Sequence, residues 1–321
     1  MKTAFITGIT GQDGSYLSEI LLSKGYKVVG LVSKKHDIGE QNIAHLKEKL
    51  ILEEGDLLDK KSLEKALLKH RPTEVYNLAA ISFVPASWEN TTLVLDVNCL
   101  GVARLLEIIK EKLPKARFLQ ATSSKIFGHP EEAPQNEETK IVPVEPYGVS
   151  KAAAHFLVQN FRECFGLFLV SLIMFNHESE RRGEMFVTRK ITQRAVKIKL
   201  GLEKELFLGN LKANQDWGYA PDYVKAMWLA LQQKKPCDLV IATGKLHRVE
   251  DVCRIAFSHL GLDYKKFVKI DKHFFRIQEA RKIVGDASKA KRVLGWQPTI
   301  SFEAMIKKMV DSDLKILRRK R

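Results

Sequence analysis

Apolar positions in the first half of the chain fall in short runs of the buried-strand type, separated by longer stretches with helical spacing. Residues 3 to 7 read as a strand. A glycine turn follows, then a helix from about Ser15 to Lys24 that stops at Gly25, then a strand from Lys27 to Val32. The pattern continues with a strand at Leu50 to Glu53, a helix near Lys60 to His70, a strand at Glu74 to Leu78 and a helix near Val94 to Leu113. A strand at Arg117 to Thr122, a helix from about Ser150 to Phe165 and a strand at Leu167 to Met174 complete it. Strands alternating with helices predict an α/β fold with a Rossmann-type doubly wound parallel sheet.

The second half is less regular. Loops are expected around Asn176 to Arg182 and Gly209 to Ala220, with a basic helical tail after Phe302. At 321 residues the chain exceeds the roughly 250 to 300 at which single cores stop growing, so two lobes are expected. Residues 1–173, with return segments near 212–248, are assigned to a dinucleotide-binding Rossmann domain. Residues 174–211 and 249–321 are assigned to a smaller C-terminal substrate-binding lobe, on which the turn before Pro298 is expected to pack.

Composition narrows the classes. The formal charge is +15, but lysines are spread over most helices and only Lys315 to Arg321 form a dense run, so nucleic acid is not the expected partner. A phosphate-bearing substrate would be drawn to the same surface. No apolar run nears the ~18 residues of a membrane span, and the N-terminal run is too short for a signal peptide. A cytoplasmic location and no membrane partner are the expectation. Cys99, Cys164, Cys237 and Cys253 lack C-x-x-C spacing and read as buried thiols, with no metal site.

Two distant motifs carry the chemistry. Gly8-Ile9-Thr10-Gly11-Gln12-Asp13-Gly14 follows a strand and opens a helix, where glycines let the backbone approach a pyrophosphate and the helix N-terminus offers free N–H groups. Where an acidic residue would grip the ribose of NAD, the chain has Ser33-Lys34-Lys35-His36. Lys34 there suits a 2′-phosphate, which favours NADP with NAD as the alternative. Asp56 and Leu57 are expected beside the adenine, and Leu78, Ala79, Ala80 and Ser82 under the ribose and nicotinamide. The second motif is Tyr147-Gly-Val-Ser-Lys151. A phenol is a poor base near neutral pH, so Lys151, one helical turn on, together with the positively charged oxidised nicotinamide, is expected to lower its pKa while Ser123 bonds the same substrate hydroxyl. Either motif alone would mean no more than a tight turn or a solvated lysine; together they imply oxidation at an alcohol carbon.

The chain resembles the extended short-chain dehydrogenases/reductases, and among them the GDP-mannose 4,6-dehydratase family. The matching strings are TGITGQDGSYL, NLAA, Tyr147 with Lys151, FNHESERRGEMFVTRKI, LGN, DWGYAPDYVKAMW and GDASKAKRVLGWQP. The resemblance implies a GDP-sugar substrate. It places His177 and Arg182 on the cofactor, Asn176 on the diphosphate, and Val187 and Lys190 on the guanine side. It places Gly209 and Asn210 in the substrate site, and Arg276 with Glu279 on the diphosphate or ribose. It also implies a homodimer through the helices near Val94 to Leu113 and Ser150 to Phe165, or a homotetramer using residues near Lys34 to His45.

The string Ser123-Ser124-Lys125-Ile126-Phe127-Gly128 departs from that family, which carries glutamate where this chain has Lys125. That glutamate removes the C5 proton and protonates the leaving C6 hydroxyl, and an ammonium cannot accept a proton. Ser33-Lys34 and Gln215 also stand where the family has arginines. Three readings follow. One is a 4,6-dehydration with Lys125 or another group as acid/base. A second is a 4-dehydrogenase, C4 epimerase or 4-keto reductase that needs no C5 base. The third is a catalytically inactive nucleotide-sugar-binding protein.

Overall fold

The computed structural model describes residues 1–33, 40–275 and 283–319. Lys34, Lys35, Arg276 and Glu279 lie outside them. Seven strands form one parallel sheet: β1 (Thr3–Thr7), β2 (Lys27–Val32), β3 (Ile51–Glu54), β4 (Glu74–Asn77), β5 (Arg117–Ser123), β6 (Leu169–Met174) and, numbered below, Leu239–Ile241. Their apolar runs are continuous because both faces are covered. Along β1, Ala4 and Ile6 enter one core while Phe5 enters the other, as the period of two requires.

The helices divide the same way. α1 (Gln12–Ser23) packs on the first face; α2 (Lys60–His70) packs on the second. The helix expected at Val94 to Leu113 forms, with a π-helical turn inside it. Short helices α3 (Ala86–Glu89) and α4 (Thr91–Leu95) run through a π-helical turn, Asp96–Leu100, into α5 (Gly101–Lys112). The helix expected from Ser150 starts earlier, as α6 (Pro146–Phe165), with proline in the first turn, where its missing N–H has no helical partner to lose. Tyr147 therefore sits in the first turn of α6.

Short strands take up part of both loops expected in the second half, while 179–182 and 209–213 stay irregular. β7 (Asn176–Glu178) and β9 (Asn214–Tyr219) pair in parallel, and β11 (Leu246–Arg248) joins β9 antiparallel. β8 (Leu206–Leu208) pairs with β12 (Val268–Ile270). α7 (Val187–Lys199), α9 (Val249–His259) and α11 (Phe302–Arg319) close a third core around Ile191, Trp217, Phe257 and Met309. α8 (Ala220–Leu231) and β10 (Leu239–Ile241) return to the main sheet, where β10 is the seventh strand.

Two expectations are corrected. The turn before Pro298 follows α10 (Ser288–Leu294) and packs on α8, not on the smaller lobe: Trp296 donates to the Asp222 carbonyl at 2.7 Å and Thr299 bonds both Asp222 carboxylate oxygens. Of the four thiols only Cys253 is buried, and Cys164 is exposed. Burial pushes the Cys253 thiol up to about 12. Among the described residues no helix is long and apolar enough to cross a membrane.

Asp238 ties β10 to the rest of the sheet. Its carboxylate accepts from both Arg162 terminal nitrogens at 2.7 and 2.8 Å, from Gln159 and from the Ser171 N–H. Burial works against its ionisation, but the Arg162 bonds and charge outweigh it, so its pKa is lowered. Asp238→Ala leaves the guanidinium without its partner and should cost about 3 kcal/mol in urea unfolding at neutral pH. Because the folded-state pKa is depressed, the carboxylate's contribution is complete above the unfolded value of 3.8 and is lost as pH falls through the folded one. The gap between the proteins should therefore close in acid.

Candidate active site

In a parallel sheet all strands end at one edge, and the order β10-β6-β5-β4-β1-β2-β3 reverses direction between β1 and β4. The chain leaves β1 into α1 on one face and leaves β4 towards α5 on the other, which opens a crevice between them. It widens into an open cleft of about 2050 Å³.

The glycine turn forms its floor. Gly8 has φ +70°, and a Cβ there would meet the Ala79 N at 2.8 Å. At Gly14 it would meet the Gly8 carbonyl oxygen at 2.3 Å. Only glycine lets the turn, the helix start and the segment after β4 pack this closely. Thr10, Gly11, Gln12 and Asp13 line the cleft with them. Ile9 does not. Its side chain is fully buried in the core, filling the space a Cβ on Gly30 would need, so only its main chain is left to meet a cofactor.

Leu78, Ala79, Ala80 and Ser82 lie in the lining, as do Asp56 and Leu57. The Thr7 hydroxyl fixes the first two, accepting from the Leu78 and Ala79 N–H groups at 3.1 Å while donating to Asn77 at 2.6 Å. Asn77 in turn donates to Gln120 on β5. Asp56 accepts from the Ser33 hydroxyl and the Leu58 N–H.

Ser123 ends β5, and Tyr147 and Lys151 rise one turn apart on α6. The Ser123 hydroxyl pulls the phenol's pKa down. Lys151 donates to the Ala121 carbonyl at 2.9 Å, with its nitrogen 5.9 Å from the centre of the Tyr147 ring. Burial drives both groups towards neutrality: it pushes the phenol up to about 12 and the ammonium down to about 8. The expected lowering of the phenol is thus reversed in the chain itself, because desolvation outweighs the bond from Ser123 and the charge of Arg182. Lys125 is 6% exposed and lines the same cleft from the turn after β5.

The Asn176–Ser179 segment is bound to the glycine turn. Gln12 donates to the His177 carbonyl and accepts from the Ser179 hydroxyl. The His177 ring faces the Asp13 carboxylate through Nε2 and the Phe175 carbonyl through Nδ1, each at 2.8 Å, and stacks on Tyr223. Both ring nitrogens must donate to satisfy two acceptors, so the ring is held as imidazolium. Burial opposes that charge, yet Asp13 and the carbonyl raise the His177 pKa, and His177 with Arg182 lowers that of Asp13 against burial. Arg182 lies 3.2 Å from Glu178 and over the Phe186 ring.

The remaining wall holds Asn176, Val187, Lys190, Gly209 and Asn210. Asn176 donates to Gln215 at 2.7 Å, and Lys190 donates to the Phe207 carbonyl over the Phe274 ring. A residue that sequence patterns do not single out proves central. Asn98, in the π-helical turn, bonds both main-chain groups of Ile81 and donates to Ser150, whose hydroxyl donates to the Tyr147 carbonyl. Only the NLAA string hinted that the segment it holds mattered.

The sequence model described as GDP-mannose 4,6 dehydratase matches residues 5–309. GDP-mannose 4,6 dehydratase 2 of Arabidopsis thaliana is 48% identical over 332 residues, covering 100% of this chain and 89% of that protein. GDP-mannose 4,6 dehydratase of Homo sapiens is 41% identical over 344 residues, covering 99% and 92%. Among solved structures, the Thermus thermophilus UDP-glucose 4-epimerase complexed with NAD is similar with a TM-score of 0.86 at 26% identity, over 97% of this chain and 98% of that one. A match of this length and identity, on a chain whose strand ends carry this cleft, means that the protein belongs to the GDP-mannose 4,6-dehydratase family.

Proposed function

We propose that the protein oxidises C4 of a GDP-sugar and eliminates water across C5 and C6, the reaction its relatives' names describe. The observation that carries the reading is the meeting of Ser123, Tyr147 and Lys151 in one cleft with the glycine turn. The turn fits a dinucleotide: its glycines leave a cradle that a Cβ at Gly8 or Gly14 would fill. A bound nicotinamide supplies the hydride acceptor for C4. Gly8, Gly11 and the α1 N-terminus would hold its pyrophosphate, with Asp56 beside the adenine, the Leu78–Ser82 segment under the ribose and nicotinamide, and His177 with Arg182 against it. NADP is the finer reading, resting on Lys34 and Lys35. The dinucleotide would take the domain of residues 1–173 with its return segments near 212–248, and the GDP-sugar the lobe of 174–211 and 249–321.

In this reading Tyr147 takes the C4 hydroxyl proton while Ser123 holds the same oxygen, and Lys151 supports the phenolate. Asn176, Val187, Lys190, Gly209, Asn210, Arg276 and Glu279 hold the nucleotide. An inert binding protein is disfavoured by Lys151, because burying its ammonium costs stability on the order of 3 kcal/mol at neutral pH and serves no structural bond that a neutral donor could not make. A second reading follows from Lys125. A lysine in the cleft wall is no base for C5 unless it gives up its proton, and in that reading the chemistry ends at C4 oxidation or epimerisation.

A homodimer is the proposed assembly. Leu93 and Leu100 on the α4 side, at 38% and 50% exposure, and Val149 and Phe156 on α6, at 43% and 47%, present apolar side chains at helical spacing on adjoining helices.

Tyr147→Phe should lower turnover by about 10²- to 10⁴-fold while GDP-sugar binding by calorimetry is retained, since the lost oxygen moves a proton. Unchanged turnover would remove Tyr147 from the mechanism. Product masses after incubation with candidate GDP-sugars and NADP or NAD test the reaction: loss of water marks dehydration, loss of two hydrogens marks oxidation alone. In deuterated water a dehydrating enzyme places deuterium at C5 of a 6-deoxy-4-keto product, and Lys125→Glu should create or raise that activity. A wild-type protein that dehydrates well and loses the activity in Lys125→Glu would overturn the account of this lysine. Leu100→Glu with Phe156→Glu should convert a dimer to monomer in sedimentation; a wild-type monomer at micromolar concentration would sink the assembly.

A further inference from the structure

A carboxylate in the cleft wall joins two halves of the molecule and has no part in the chemistry above. Glu180 stands just after β7. It accepts from the Tyr16 hydroxyl on α1 at 3.2 Å and from the Tyr219 hydroxyl at the end of β9 at 3.3 and 3.5 Å. Lys308 on α11 donates to the Tyr219 oxygen at 2.6 Å and lies 3.5 Å from the carboxylate. All four side chains line the cleft.

The chemistry of the groups fixes the direction of each bond. An ammonium only donates and an ionised carboxylate only accepts, so the Tyr219 hydroxyl takes a hydrogen bond from Lys308 and passes one to Glu180. Tyr16 gives its single hydroxyl proton to the same carboxylate. Burial, and after it the charge of Glu180, raises the pKa of both phenols, so both stay donors at neutral pH.

The sign of Glu180 is wrong for a wall that is to meet diphosphates, which a carboxylate repels. What it holds accounts for it. Tyr16 lies two residues after Gly14, on the helix that opens from the glycine turn, and Arg181 grips that helix through Ser15, Glu19 and the Tyr16 ring. Tyr219 pairs with Glu178 of β7 and is buried in the third core, against which α7 packs with Val187 and Lys190 of the nucleotide wall. The bonds of Gln12 and Asp13 stop at residues 177 and 179, whereas Glu180 carries the link from α1 on to β9 and α11.

We propose that Glu180 is a positioning residue that couples the two binding sites: a dinucleotide settled on the glycine turn fixes α1, and through Glu180 it fixes the wall that receives the nucleotide of the sugar substrate. The inference rests on the reading that places a dinucleotide at the glycine turn and a GDP-sugar in the smaller lobe. A wall ordered by the first ligand costs the second less to order, and the coupling is equal in both directions.

Calorimetry with GDP as the probe, with and without saturating NADP or NAD, whichever binds, measures the coupling. In the wild type the cofactor should tighten GDP roughly fivefold or more, and GDP should tighten the cofactor by the same factor. In Glu180→Ala the factor should fall towards one. Removing a negative charge from the wall changes the affinity of each anion alone, but the factor is a ratio, so that change cancels. A packing role alone would lower the melting temperature and leave the factor where it is. Tyr16→Phe removes only the α1 end of the bridge and keeps the carboxylate; it should lower the factor too, and it carries the test if Glu180→Ala does not fold. A wild-type factor of one, or a factor unchanged in either folded variant, overturns the role of Glu180. A wild-type protein that binds neither NADP nor NAD overturns the dinucleotide reading beneath it.

Discussion

The site depends on how main-chain groups are satisfied where the parallel sheet stops. Strands that end together leave N–H and C=O groups without ladder partners, and each must find another. Thr7 supplies an acceptor for two of them, after β4, and passes the connection through Asn77 to Gln120 across three strand ends. Asn98 does the same for Ile81 and reaches Ser150 on α6. The bonds that terminate the sheet are thus the bonds that hold the segment after β4 against the glycine turn and the first turn of α6. Floor and catalytic wall share one network, so neither can shift without breaking buried hydrogen bonds.

What was legible in the sequence is what local spacing dictates. The strand–turn–helix around Gly8 to Gly14, the i, i+4 pair Tyr147 and Lys151, and the alternation of strands and helices all follow from residues near one another in the chain. What was not legible depends on partners far away. Nothing local marks Asn98 as a link to Ser150, or Asp13 as the partner of His177. β7 and β9 looked like loops because three to six residues rich in polar side chains become strands only when they pair with each other. The rise of the phenol's pKa in the chain by itself is illegible for the same reason. A neighbouring lysine is visible in the sequence, while the burial that outweighs it belongs to the folded cleft.

Net charge is a poor guide to the field inside that cleft. The chain carries +15, yet the cations nearest the cofactor and substrate walls are engaged. Arg181 pairs with Glu19 at 2.5 Å and stacks on Tyr16, Arg182 faces Glu178, and Lys308 reaches Tyr219 and Glu180. A diphosphate bound in the cleft would meet these as pre-oriented groups. A guanidinium has five donors, so it can take up a phosphate oxygen without abandoning its carboxylate. Order is gained before the ligand arrives, which lowers the entropy lost on binding.

Burial also couples the two halves of the proposed chemistry. It favours the neutral forms of Tyr147 and Lys151 alike, raising one pKa and lowering the other, so the dry wall opposes the phenolate and ammonium that C4 oxidation uses together. Any further charge in that wall acts on both. A positive charge at Lys125 would favour the phenolate and make Lys151 harder to protonate; a carboxylate in its place would do the reverse. If Lys125 stands in place of the C5 base, the same residue therefore also bears on how easily the first proton is taken.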